Sequence, residues 1–204
     1  MAGNILAFGK KQSTIVVYVD RAKFQLYGGN LPSILTLDAP PTVLKDLEVV
    51  NKDSLYALVN GLVKQYNIAT SQLILVLSQA TYFEKTLAGG AESQQETEIL
   101  NFFDSIPFDE ITTKVFSLEN GRKAVAVNAA YVDAIEHAFA LQGLSTVMVL
   151  PVFVLGSMGA KRWLDAQMGE YVLKNKEALK KQTIGETPDT RQAVAAKGEE
   201  TAQK

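Results

Sequence analysis

A proline set between two apolar segments limits what this chain can fold into more than any other feature. From Glu92 to Leu118 the sequence reads ESQQETEILNFFDSIPFDEITTKVFSL. The polar, Glu-rich start leads into Ile99, Leu100, Phe102 and Phe103. Ile99 and Phe103 are four apart, so the segment reads as a helix with one apolar stripe. Pro107 disfavours helical geometry at Ile106, which predicts that the helix ends at or before that residue. Phe108-Asp109-Glu110-Ile111 then reads as a turn whose Phe and Ile drop into a core. A strand from Lys114 to Leu118 follows, with a turn at Glu119-Asn120-Gly121 and a return strand from Lys123 to Ala129. Asn-Gly is a strong hairpin signal because both residues tolerate positive φ.

Upstream, Thr14–Val19 is a β-branched run and reads as the first strand. Asp20-Arg21-Ala22 makes a tight connection to a second strand, Lys23–Tyr27. Gly28-Gly29-Asn30 turns into a third, Leu31–Leu37, with Pro32 near its start. Pro40 and Pro41 form a rigid corner before an extended piece over Val43–Val50. Asn51 or Asp53 can cap the next helix, Asp53–Tyr66, whose apolar positions Leu55, Leu58, Val59, Leu62 and Tyr66 follow a helical period. Gly61 inside it costs about 1 kcal/mol relative to Ala, and a close helix–sheet contact is one reason to tolerate it. Leu73–Leu77 reads as a strand buried on both faces. After Gly89-Gly90, a hinge-like break, comes the helix described first. A further helix over Tyr131–Leu141 is stopped by Gly143, and an apolar strand spans Val147–Leu155. Beyond Gly159, Ala160–Lys181 reads as a helix and Gln182–Lys204, almost without large apolar residues, as a disordered tail or linker.

Composition removes several kinds of chemistry. The 204 residues include no cysteine and one histidine, His137, so thiol catalysis is excluded and a histidine metal cluster cannot form. A formal net charge of −2 gives no electrostatic footprint for nucleic acid. No segment is apolar for long enough to span a bilayer, and the N-terminal lysines follow the short Ile5–Phe8 patch, the reverse of a secretory signal. A cytoplasmic protein is expected. Glu92, Glu96 and Glu98 sit where negative charge suits a helix start. His137, beside Glu136, has no nucleophile to serve. Gly156-Ser157-Met158-Gly159 lacks the strand–elbow–helix setting of a hydrolase serine, and Gly89-Gly90 lacks the Lys-Ser/Thr of a phosphate loop. Trp163, the single tryptophan, reads as core packing of the tail helix, with a partner anchor as the alternative.

The run Ser105-Ile106-Pro107-Phe108-Asp109-Glu110-Ile111, with the order helix, turn, strand, Asn-Gly turn, strand, helix around it, resembles the PilM family. These are actin-like cytoplasmic proteins of type IV pilus assembly, related to the cytoplasmic part of the type II secretion L protein. The resemblance covers roughly Thr14 to Leu155. It implies an α/β (α+β) fold: an actin-like, ribonuclease H-like mixed sheet carrying an inserted small lobe of one helix and three strands. The main lobe would comprise residues 14–81 and 130–159, the insert residues 82–129, a flexible lead residues 1–13, a C-terminal helix residues 160–181, and the tail residues 182–204.

Where actin-like ATPases carry Asp-x-Gly-Ser/Thr between the first two strands, this chain has Asp20-Arg21-Ala22, followed by Lys23. A phosphate cradle depends on backbone N–H groups that glycine exposes, so an ordinary hairpin turn is the preferred reading over a weakened phosphate site. About 50 residues follow Leu155, whereas a second large lobe carrying the other phosphate loop would need on the order of 100. The chain therefore reads as about the first half of such a protein, evolved short or cut from something longer. No catalytic, cofactor-binding or metal residue is expected, and no cofactor. The implied role is a non-catalytic scaffold at the inner membrane, binding the cytoplasmic tail of a PilN-like protein, with the pilus motor ATPase as a second candidate partner. The groove residues cannot be placed from sequence, because the motifs that match are structural. The alternative is an actin-like nucleotide-binding half completed by another chain.

Overall fold

The computed structural model describes residues 13–89 and 91–185. The expected flexible lead before Ser13, Gly90 of the expected hinge and the tail beyond Gly185 lie outside the described residues.

The main sheet grows from a meander. β1 (Ser13–Asp20) and β2 (Lys23–Gly28) are antiparallel, closed by a two-residue connection with Asp20 paired to Lys23. β3 (Leu35–Asp38) adds to β2. This strand starts later than the expected Leu31, because Leu31 N–H is already spent on Gly28 O in a turn and Pro32 has none to give. Side chains on β2 alternate as a pleat requires. Phe24 meets Phe139 edge-on, while Gln25 and Tyr27 face the C-terminal segment.

The extended piece is a small ribbon, β4 (Leu44–Lys45) against β5 (Glu48–Val49), whose turn residues Asp46 and Leu47 both have positive φ. α1 (Lys52–Gln65) is capped by Asn51, which accepts from Ser54 N–H at 2.9 Å. The idea of a close contact at Gly61 fails: the residue is exposed and a Cβ there would meet nothing within 4 Å. β6 (Ser71–Leu77) runs parallel to β1.

β7 (Phe83–Ala88), α2 (Glu92–Asp104), β8 (Ile111–Leu118) and β9 (Gly121–Asn128) follow, with strand order β7-β9-β8, all antiparallel. Here α2 ends before Ile106, as Pro107 demands. The two faces of β9 serve different cores. Ala124 and Ala126 pack with Ile99, Phe103, Ile106 and Leu87, whereas Val125 and Val127 join the main core. The turn is Glu119-Asn120, and Gly121 is already paired with Leu118. The glycine is needed for φ +141° and because a Cβ would stand 2.1 Å from Leu87 O on β7.

α3 (Ala129–Ala140) buries Tyr131, Val132, Ile135 and Phe139 and packs beside α1. β10 (Leu144–Pro151) completes a five-stranded sheet of order β10-β6-β1-β2-β3, parallel to β6. The expected strand end at Leu155 is corrected to Pro151, which pairs with Leu77, the last residue of β6. The chain then winds through 3₁₀ turns over Val152–Ala160.

The single helix expected over residues 160–181 is instead two. α4 (Ala166–Lys174) is capped by Asp165, which accepts from Met168 N–H at 2.8 Å. Asn175 interrupts, donating its side-chain amide to Tyr171 O, before α5 (Lys176–Leu179). Gly169 lets α4 lie on Tyr27, since a Cβ there would stand 2.2 Å from the ring. Trp163 is not core: 59% of it is exposed. The first residues assigned to a disordered tail are corrected too. Thr183 and Ile184 are buried, so the packed chain extends to Gly185.

Candidate functional site

Two concavities flank the three parallel strands. The first, about 770 Å³, lies at their carboxyl ends and is lined by Tyr18, Asp20, Arg21, Ser78, Lys161 and Arg162 among others. This is where open α/β sheets commonly bind ligands. Asp20, the residue sequence reasoning set against the phosphate loop, accepts a hydrogen bond from Ser78 Oγ at 2.7 Å. Ser78 Oγ in turn accepts from Ala80 N–H at 3.2 Å, and Ser78 N–H donates to Val19 O at 2.9 Å. So Asp20 ties the ends of β1 and β6 together.

Arg21 takes φ +52°, the left-handed conformation glycine favours, and its carbonyl accepts from the Tyr131 hydroxyl. Burial, with the nearby Asp20 charge adding to it, pushes the Tyr18 hydroxyl up to about 12 and raises Tyr131 as well. Neither is a proton-transfer group at neutral pH. Lys161 is held by Asp165, whose carboxyl is lowered chiefly by that hydrogen bond. Among the described residues Arg21 and Arg162 form no ion pair, so the crevice is basic, and Gly159 is the one glycine among its described lining residues.

The second concavity, about 370 Å³, runs along the outer edge of β10, between α3 and the inserted lobe. Thr146, Met148 and Val149 form its floor, Asp133 and Glu136 of α3 one wall, and Thr112 and Val127 of the insert the other. Val147 bulges out of the ladder to β6. Bulges near sheet edges re-aim side chains. Burial raises the Glu136 carboxyl, helped by the neighbouring Asp133 charge and opposed by a hydrogen bond from Thr146. Ile184 N–H donates to Val149 O at 2.8 Å, so one β10 carbonyl on this side is engaged. Sequence reasoning left this groove unplaced. Its residues are ordinary core and helix types, and only the topology puts an edge strand between two lobes.

Of the other residues weighed in the sequence, Glu98 lies apart from both and Gly159 lines the first. Glu98 pairs with Lys85 at 3.4 Å on the surface of the insert. His137 is exposed, its ring edge-on to Tyr56. Gly159 sits where a Cβ would stand 2.2 Å from Val152 O, a packing role. Among the described residues no group of three or more His, Asp or Glu could hold a metal ion, and no helix is long and apolar enough to cross a membrane.

The order β3-β2-β1-β6-β10, with β2 alone running against the rest, defines a ribonuclease H-like sheet of the kind actin-like proteins are built on. No protein-family model matches the chain, and no curated protein does. Solved structures similar to the chain include the following three. One is a PilM-PilN type IV pilus biogenesis complex, 13% identical over 67% of this chain and 46% of that one, with a TM-score of 0.47. Another is the cytoplasmic domain of EpsL, an inner-membrane component of the Vibrio cholerae type II secretion system, 12% identical over 70% of this chain and 58% of that one, at 0.44. The third is a Bacteroides thetaiotaomicron protein with an actin-like ATPase fold and unknown function, 12% identical over 75% and 57%, at 0.36. The chain spans about half the length of these structures.

Proposed function

We propose that this chain is a non-catalytic scaffold of a type IV pilus or type II secretion-like machine, and that the groove beside β10 captures the cytoplasmic tail of a PilN-like inner-membrane protein. The machine is inferred from the resemblance carried by Ser105–Ile111 and the elements around it. The binding mode is inferred from one observation: β10 is an edge strand whose outer side, engaged at Val149 O by Ile184 N–H, faces a groove between two lobes. An extended peptide adds to such an edge through main-chain hydrogen bonds, with side-chain pockets supplying specificity. Asp133 and Glu136 make the α3 wall acidic. Short cytoplasmic tails of membrane proteins carry an excess of Lys and Arg, so the charges match. Contact with the membrane would come through this partner.

The test is an array of short synthetic peptides tiling the cytoplasmic tails of the host's pilus and secretion inner-membrane proteins. One basic, extended peptide should bind, and Glu136→Lys should weaken it by about tenfold or more, the worth of one charge-assisted pair. Binding that ignores Glu136 and Asp133 would refute the groove.

A second reading, an actin-like nucleotide-binding half completed by another chain, is favoured by the position and size of the carboxyl-end crevice and its two arginines, which form no ion pair among the described residues. It is opposed by the Ser78-bound Asp20 and by Arg21 in a glycine-type conformation. Calorimetric titration with MgATP discriminates: micromolar binding to the chain alone would favour this reading.

A further inference from the structure

The chain's own backbone already stands in the groove. We infer that residues Thr183–Gly185 are a built-in competitor, a stand-in for the partner peptide that the partner must displace; this rests on the groove being the peptide site.

Four observations carry it. Ile184 N–H donates to Val149 O at 2.8 Å, the bond an added strand would make to the edge of β10. Thr183 and Ile184 are buried although they belong to no strand and only a short 3₁₀ turn precedes them. The Lys114 ammonium on β8 donates to the carbonyls of Lys181 (2.9 Å) and Thr183, so the inserted lobe holds the segment from the opposite wall. Gly185 lies against Thr112, where a Cβ would stand 3.7 Å from the methyl group.

The segment also carries the chemistry proposed for the partner. Lys180-Lys181-Gln182-Thr183-Ile184 is basic, then β-branched. Among the described residues its hold on β10 is small, one main-chain bond, and a space of about 370 Å³ lies beside it. A longer peptide that pairs with more of β10 and fills that space wins the exchange. Because the segment is tethered, its effective concentration at the groove is high, and it lowers the partner's apparent affinity without contacting the partner. Sequence changes that loosen it would therefore tighten the complex.

The experiment uses the full chain and the same peptide array. Ile184→Asp expels the segment by placing a charge in an apolar slot, while Leu179 and α5 remain to anchor what precedes it. Ile184→Val is the conservative control. The expected result is that Ile184→Asp binds the best array peptide about tenfold more tightly than wild type, a shift readable as dissociation constant, and that Ile184→Val binds as wild type does. Hydrogen exchange on the unmutated chain is the second readout: the amides of residues 183–185 should exchange faster once that peptide is bound. Equal affinity of wild type and Ile184→Asp, or exchange at 183–185 that is unchanged or slowed by peptide, overturns the inference and leaves the groove reading standing. Absence of binding to both chains overturns the groove reading, and the inference with it.

Discussion

Ser78 Oγ and the Asp20 carboxylate meet at 2.7 Å across the adjacent ends of β6 and β1. The pair joins the two strands beside the Asp20–Lys23 connection. The bond is part-buried and charge-assisted, and Ser78 also starts the 3₁₀ turn over Gln79–Thr81 through Ala80 N–H. Ser78→Ala should therefore cost about 1–2 kcal/mol of stability. Urea unfolding should show a lower midpoint, while peptide binding at the groove stays unchanged.

Two glycines should respond in opposite directions. Gly61 is exposed on α1 with open space where a Cβ would go, so Gly61→Ala should stabilise by about 1 kcal/mol. Gly121→Ala should destabilise by more than 1–2 kcal/mol, since its φ is +141° and the new methyl would run into Leu87 O. Thermal unfolding of both variants checks the pair, and a gain at Gly121 would contradict the packing of β7 on β9.

Glu136 supplies a pH signature. Its folded-state pKa is raised, first by burial, so folding is favoured while the group is protonated and loses that contribution as pH rises through the unfolded and then the folded value. Glu136→Gln removes the cost of the buried charge. The variant should melt above wild type near pH 7, and the gap should close as pH falls below about 4, where the wild-type carboxyl is protonated in both states. A gap that grows on acidification would contradict the stated cause. By the same sign, a cationic peptide meeting ionised Glu136 should bind more tightly as pH rises through this range.

Much of the fold was legible because it rests on periodicity and on a few residues with one meaning. Pro107 closes α2, Asn51 caps α1, and the β-branched run at Thr14–Val19 becomes the central strand. The misses have local causes. An Asn-Gly pair suggested a turn centred one residue too late, because Gly121 answers to its neighbour across the sheet as well as to the turn. Apolar Val152–Leu155 suggested more strand, but β6 has already ended at Leu77 and offers no partner. Trp163 suggested core, yet Leu164 takes the inward position beside it, its N–H bonded to Gln25 Oε1. The burial of Thr183 and Ile184 could not be seen at all in a segment so poor in large apolar residues, since it depends on a carbonyl of β10 and a lysine of β8 far away in the chain. The groove was hidden for the same reason.

The most direct test is the affinity of one tail peptide for wild type and for the double variant Asp133→Lys/Glu136→Lys, measured by fluorescence anisotropy at low and moderate salt. Two charge pairs reversed should weaken a basic peptide by about a hundredfold or more, with a smaller effect at higher salt. Equal affinity for the two proteins, or micromolar MgATP binding with no peptide bound by either, would contradict the account.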